Sequence, residues 1–148
     1  MQESSIAQGV FTLKDSDGNI LVNVHNMIVE DGRKQIMTNG FPTENLTFFF
    51  DNGDELTNST DTYKSKIEND PDTIKIDIDG TTNTCTCDKT KICYIIGGSI
   101  SGSDHSNCCS GGLYFKNEDG YKLFSRFTCN PVAIANNKTY MFEYYIYF

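Results

Sequence analysis

The sequence predicts a mainly β protein: a small single domain with one α-helix near the N-terminus and a cysteine-rich insertion. Three observations favour this class. Short stretches of alternating apolar and polar residues are separated by turns rich in Gly, Asn and Asp, which is the pattern of strands joined by tight turns. The chain contains 10 Phe and 8 Tyr, and aromatic residues favour strands. One segment alone has both the start and the stop signals of a helix.

Length and charge restrict the class of protein further. The 148 residues fit one domain, 1–148, and we see no linker that would divide it. The formal net charge is −8, and no dense group of Lys and Arg interrupts the acidic chain, so nucleic acid is disfavoured as a partner. The sequence contains no apolar run of about 18 residues, and its polar start lacks the pattern of a secretion signal. We therefore expect no membrane partner and synthesis in a cytoplasm.

The first elements are a hairpin and the helix. Residues 10–24 alternate around a turn at 15–19, where Gly18 can adopt positive φ. A helix is predicted near residues 27–38, with Asn26 as its cap and Gly40 as its stop. Its apolar stripe would comprise Met27, Ile28, Ile36 and Met37.

The acidic turn of this hairpin also invites comparison with a calcium loop. An EF-hand loop that begins at Asp15 requires Gly at its sixth position, and that position holds Ile20. The segment is therefore predicted to be a hairpin turn.

The centre of the chain predicts two further strands. Residues 46–50 are apolar and aromatic, and a Gly-containing turn follows at 51–54. A polar, loop-like stretch spans 55–72. Residues 73–79 then place Ile74, Ile76 and Ile78 on one face and charged residues on the other, as in a strand with one solvated face.

The cysteine-rich insertion, about residues 81–112, contains five of the six cysteines. Its Ser, Gly and Thr content predicts a peripheral loop region, with one strand near 92–96. Its thiols could be free, could form disulfides, or could hold a structural zinc ion, although their spacing is not that of the usual paired zinc ligands. The metal candidates are Cys85, Cys87, Cys93, His105, Cys108 and Cys109.

The C-terminal part predicts a second hairpin and a two-sided last strand. The hairpin spans 113–127, with its turn at 117–120. One face of the last strand holds Tyr140, Phe142, Tyr144, Ile146 and Phe148, and the other holds Met141, Glu143, Tyr145 and Tyr147. Monomers rarely expose such an aromatic patch, and burying the Glu143 carboxylate in a dry core would be costly. We therefore predict that the second face is an interface with another subunit.

The sequence contains no set of nucleophile, base and orienting group typical of an enzyme. The chain has 2 His, and the glycine pairs at 97–98 and 111–112 resemble turn signals more than a phosphate-binding loop. We therefore predict that the protein is not an enzyme and needs no catalytic cofactor.

The order of these segments resembles a group of known proteins. The stretch 26–33 (NMIVEDGR), the hairpin from 112–115 (GLYF) to 123–127 (LFSRF), the segment 130–132 (NPV) and the aromatic ending 144–148 (YYIYF) occur in an order and spacing similar to those of small virion proteins of tailed bacteriophages. That group includes neck, tail and fibre-attachment components. The cysteine-rich segment is not part of the shared pattern.

The resemblance implies a β-sandwich-like body with one helix and a non-enzymatic structural role. The protein would be located in the virion after assembly in the host cytoplasm, as a homo-oligomer in contact with other virion proteins, in a ring or a fibre base. An alternative is a receptor- or carbohydrate-binding module of a fibre, in which Tyr and Asn/Asp loops contact sugars.

Overall fold

The computed structural model describes residues 8–52, 73–80, 83–117 and 120–147. In chain order, the elements are β1 (Gln8–Asp15), β2 (Ile20–Ile28), α1 (Glu30–Asn39), β3 (Leu46–Asp51), β4 (Ile74–Asp77), β5 (Thr84–Asp88), β6 (Cys93–Ser101), β7 (His105–Asn117), β8 (Gly120–Ile134) and β9 (Thr139–Tyr147). The strands form one antiparallel sheet in the order β4-β3-β7-β8-β2-β1-β9-β6-β5. The prediction of a mainly β fold with one helix is confirmed for the described residues.

The sheet is curled into a half-barrel around its aromatic inner face. Phe48 on β3 and Phe142 on β9 are far apart in the strand order, yet their ring centroids are 4.3 Å apart. Phe11 on β1 packs against Phe48 and against β8, with its ring centroid 5.4 Å from that of Phe48 and 4.1 Å from that of Phe127. The two layers expected of a sandwich-like fold are therefore opposite walls of a single sheet.

The first hairpin forms where the turn chemistry predicts it. The Asp15 carboxylate accepts hydrogen bonds from the backbone N–H groups of Asp17 and Asn19, both at 2.9 Å, and Gly18 has φ of 86°. A further hydrogen bond from the Asn19 side chain is the main reason that the pKa of Asp15 is lowered. The carboxylate therefore serves to close the turn.

The helix starts later than predicted. Residues 26–28 continue β2, where Met27 and Ile28 pair with β8, and α1 begins at Glu30. Asn26 does not cap it, because the Asn26 side chain is buried and its Nδ2 donates to the Tyr145 carbonyl at 3.3 Å. The backbone pairing of this segment thus replaces the predicted helical turn.

The predicted apolar stripe of the helix is accordingly wrong, since Ile28 is a buried β2 residue and Met37 is 86% exposed. The predicted stop at Gly40 is confirmed. Gly40 has φ of 82°, and its N–H donates to the Ile36 carbonyl at 3.1 Å.

The cysteine-rich segment belongs to the body of the sheet, so the prediction that it is peripheral is wrong. It forms β5, β6 and part of β7, and β6 pairs with β9 along its nine residues. Ile96, Ile100 and Cys108 are fully buried in the main core. The high content of Ser, Gly and Thr suggested a loop, but pairing with the apolar β9 holds the segment in the sheet.

The remaining strand predictions agree with the structure where it describes them. Residues 46–51 and 74–77 form the paired strands β3 and β4, and residues 113–117 and 120–127 lie in the paired strands β7 and β8. The whole predicted loop at 55–72, two residues each of the turns at 51–54 and 117–120, and Phe148 lie outside the described residues.

Candidate functional site

The last strand, β9, lies inside the sheet between β1 and β6 and has one buried and one outward face. Tyr140, Phe142, Tyr144 and Ile146 are buried. On the outward face, Met141 is 53% and Tyr147 is 38% exposed; Glu143 is exposed and Tyr145 is half-buried. The predicted division of this strand into two faces therefore holds for the described residues.

The strand register extends this outward face across neighbouring strands. Residues directly opposite each other in paired strands lie on the same face. Val10 on β1 and Ile95 on β6 lie opposite Tyr145, while Gln8 of β1 lies opposite both Tyr147 and Met27 of β2. These outward apolar residues, which we call the tyrosine patch, are Val10, Met27, Ile95, Tyr145 and Tyr147.

The two tyrosines of the patch are fixed in relation to each other. Their ring centroids are 5.9 Å apart with an interplanar angle of 9°. The Tyr145 hydroxyl donates to the Glu143 carboxylate at 3.3 Å. Partial burial, followed by the adjacent Glu143, raises the pKa of Tyr145, so this hydroxyl remains a donor at neutral pH. The result is a flat aromatic surface with a polar edge, which suits contact with another protein.

The other half of the outward face is a groove, which we call the glycine groove. It has a volume of about 560 Å³, and its lining includes Lys14, Gly97, Met141 and Glu143. The four residues predicted as an interface therefore divide into two groups. Tyr145 and Tyr147 form the centre of the patch, whereas Met141 and Glu143 line the groove.

The structure does not bring together the residues of the predicted zinc site. Within the described ranges, no three His, Cys, Asp or Glu residues are placed so that they could hold one metal ion. Cys85 and Cys87 lie on β5 and Cys93 on β6, whereas His105, Cys108 and Cys109 lie on β7. All six cysteines are free thiols.

The six thiols differ in how deeply they are buried, and this difference predicts the order in which a thiol reagent labels them. Burial is the main reason that three thiols have a raised pKa: the pKa is about 11 for Cys85, about 12 for Cys108 and about 11 for Cys129. At pH 8 each of these thiols is therefore about 0.1% thiolate or less, and the thiolate is the reactive form. We expect iodoacetamide to label the exposed Cys87 first and Cys108 last.

Peptide mass spectrometry after timed labelling of the native protein measures this order, with urea-unfolded protein as the control in which all six thiols react. Raising the pH from 8 to 10 should speed labelling of Cys85 by about 100-fold, because the thiolate fraction grows tenfold per pH unit below the pKa. Native Cys108 that reacts as fast as Cys87 would contradict the core position of β7.

Comparison of the chain with protein-family models, curated proteins and solved structures finds no match. Within the described residues, the helix is too short to cross a membrane. A function for the chain is therefore inferred from the residues and geometry of the outward face.

Proposed function

We propose that the protein is a non-enzymatic structural component of a tailed-phage virion, and that it assembles through the tyrosine patch as a homo-oligomer in the neck or tail, in a ring or at a fibre attachment. The observation that carries the proposal is the outward face of β9. β9 lies in the interior of the sheet, and it presents two stacked tyrosines, Tyr145 and Tyr147, on the side away from the core.

The composition of the patch favours a protein partner. Aromatic residues and Met are enriched in the centres of protein interfaces, and the patch combines two tyrosines with Met27, which is 58% exposed. Tyr loses little conformational entropy when it becomes buried, and its hydroxyl can hydrogen-bond at the rim of an interface. Backbone pairing on both sides of β9 holds these side chains in place before a partner binds.

The uncharged side chains of the patch are compatible with a second copy as that partner. The chain carries a formal net charge of −8, so two copies repel each other at long range. The five residues of the patch carry no formal charge, so contact between two patches brings no like charges together at its centre. We therefore expect association to strengthen as salt screens the long-range repulsion.

Tyr145→Ala combined with Tyr147→Ala tests the interface. We expect the wild-type protein to form a discrete oligomer and the double variant to have the mass of a monomer, because interface tyrosines contribute strongly to association. Size-exclusion chromatography with light scattering gives the mass, and thermal melting reports on the fold. Met37→Ala, which truncates a side chain that is 86% exposed on α1, is the control and should retain the wild-type mass.

An unchanged oligomer in the double variant would contradict the proposed interface, as would a monomeric wild-type protein at all salt concentrations. The virion role has its own measurement, which is quantitative mass spectrometry of purified particles. We expect the chain at a fixed copy number per particle, and its absence from washed particles would exclude a virion role.

A further inference from the structure

The glycine groove has an open floor because one strand lacks a side chain there. Gly97 on β6 lies between Glu143 on β9 and Thr84 on β5 in the register. A Cβ placed on Gly97 would meet one atom within 4 Å, the Phe142 carbonyl oxygen at 3.7 Å. The resulting groove of about 560 Å³ lies within the size range of small-ligand sites, roughly 300–1,000 Å³.

The chemistry of the lining restricts the class of ligand. A hydroxyl both donates and accepts hydrogen bonds, and four of the residues that line the groove carry a side-chain hydroxyl: Thr12, Thr84, Ser99 and Thr139. The lining contains one cation, Lys14, and one anion, Glu143, and these two are not joined in an ion pair within the described part of the chain. Opposite single charges leave the groove formally neutral, which disfavours phosphate-rich ligands because these require several cations.

The acceptor at the edge of the groove is already oriented. The Tyr145 hydroxyl donates to Glu143 Oε1 at 3.3 Å, which leaves the second carboxylate oxygen for a ligand hydroxyl. Lys14 supplies donors from the adjacent strand, and Met141, which is 53% exposed, supplies an apolar wall. A ligand that fits this arrangement has many hydroxyl groups, an apolar C–H face and no net charge.

We infer that the glycine groove binds a neutral saccharide. This site goes beyond the assembly role proposed above, because it uses the groove half of the outward face and leaves the tyrosine patch free for a partner subunit. A virion component with such a groove could contact carbohydrate on the surface of a host cell.

Gly97→Thr is the decisive variant. The new side chain would enter the groove, and Gly97 is not among the glycines with positive φ, so the backbone accepts it. Thr also favours strands more than Gly does, so we expect a melting temperature equal to or above that of the wild type. Saccharide binding should weaken by about tenfold or more, equivalent to about 1.4 kcal/mol.

The measurement begins with a glycan array that carries neutral and sialylated oligosaccharides. The strongest neutral binder, or lactose if none binds, is then used as the free sugar in an NMR titration of ¹⁵N-labelled protein. We expect saturable shifts of the Gly97, Ser99 and Thr139 amides in the wild type and much weaker binding by Gly97→Thr. Gly97→Ala, which adds a single methyl group at the same position, should give an intermediate loss.

The inference is overturned if no neutral glycan gives saturable shifts, if anionic glycans alone bind, or if Gly97→Thr binds as well as the wild type. Failure of this site is distinguishable from failure of the assembly proposal. Gly97→Thr should keep the oligomeric mass of the wild type, whereas the tyrosine double variant should lose that mass.

Discussion

Replacing Phe11 by Ala is expected to lower the free energy of unfolding by about 3–5 kcal/mol, the range for truncating a buried aromatic side chain. Phe11 is fully buried, and its ring centroid lies 4.1 Å from that of Phe127 on β8 and 5.4 Å from that of Phe48 on β3. The side chain therefore links strands that are far apart in the strand order. Its loss would leave a cavity at the centre of the curl, and the total stability of a domain is only about 5–15 kcal/mol.

Urea unfolding followed by circular dichroism measures this loss. Phe11→Leu should cost less because it keeps most of the buried volume, and Met37→Ala should change stability by less than about 0.5 kcal/mol because Met37 is largely solvated. A loss below about 1 kcal/mol in Phe11→Ala would show that the aromatic residues of β1, β3 and β8 do not share one core.

Elements whose signals are local were predicted well from the sequence. The first hairpin depends on bonds between Asp15 and Asn19 and on the positive φ of Gly18, all within five residues of each other. The signal that ends the helix at Gly40 also lies in neighbouring residues. The same is true of the alternation of buried and outward side chains along β9. Turn chemistry and period-two patterning are properties of neighbouring residues, so they can be recognised without the rest of the fold.

Elements that depend on distant partners were predicted less well. Asn26 has the chemistry of a helix cap, but its amide bonds to the carbonyl of Tyr145, 119 residues away, and this contact keeps residues 26–28 in β2. The cysteine-rich segment has the composition of a loop, but pairing with β9 makes β6 a strand in the body of the sheet. Long-range pairing of this kind overrides local propensity.

The candidate site likewise combines features that local patterns predict with features that depend on distant partners. The sequence predicted the outward residues of β9, but it could not identify Val10 and Ile95 as their neighbours, because strand order follows from topology rather than from patterning. The groove was missed altogether. The glycine pair at 97–98 has the composition of a turn, although a glycine inside a β segment can also mark a site where another group approaches closely.

The adjacent residues Ile95 and Ile96 lie on opposite faces of the sheet, Ile95 on the outward face and Ile96 on the inner face. Ile96 is fully buried opposite Tyr144, and Ile95 is half-buried opposite Tyr145. Ile96→Asp would place an unpaired carboxylate in the core, so we expect a loss of at least about 3 kcal/mol and extensive unfolding. Ile95→Asp would place the same charge in the tyrosine patch, where it stays partly in contact with solvent in a free subunit and becomes fully buried only on association.

The light-scattering mass of Ile95→Asp, measured beside its thermal melt, tests the assembly surface most directly. We predict a folded monomer, which melts well above Ile96→Asp although below the wild type because Asp disfavours strands, and a complete loss of the wild-type oligomer at the same protein concentration. An Ile95→Asp protein that keeps both its melt and the wild-type oligomeric mass would show that the subunits associate elsewhere, and that the tyrosine patch is not the assembly surface.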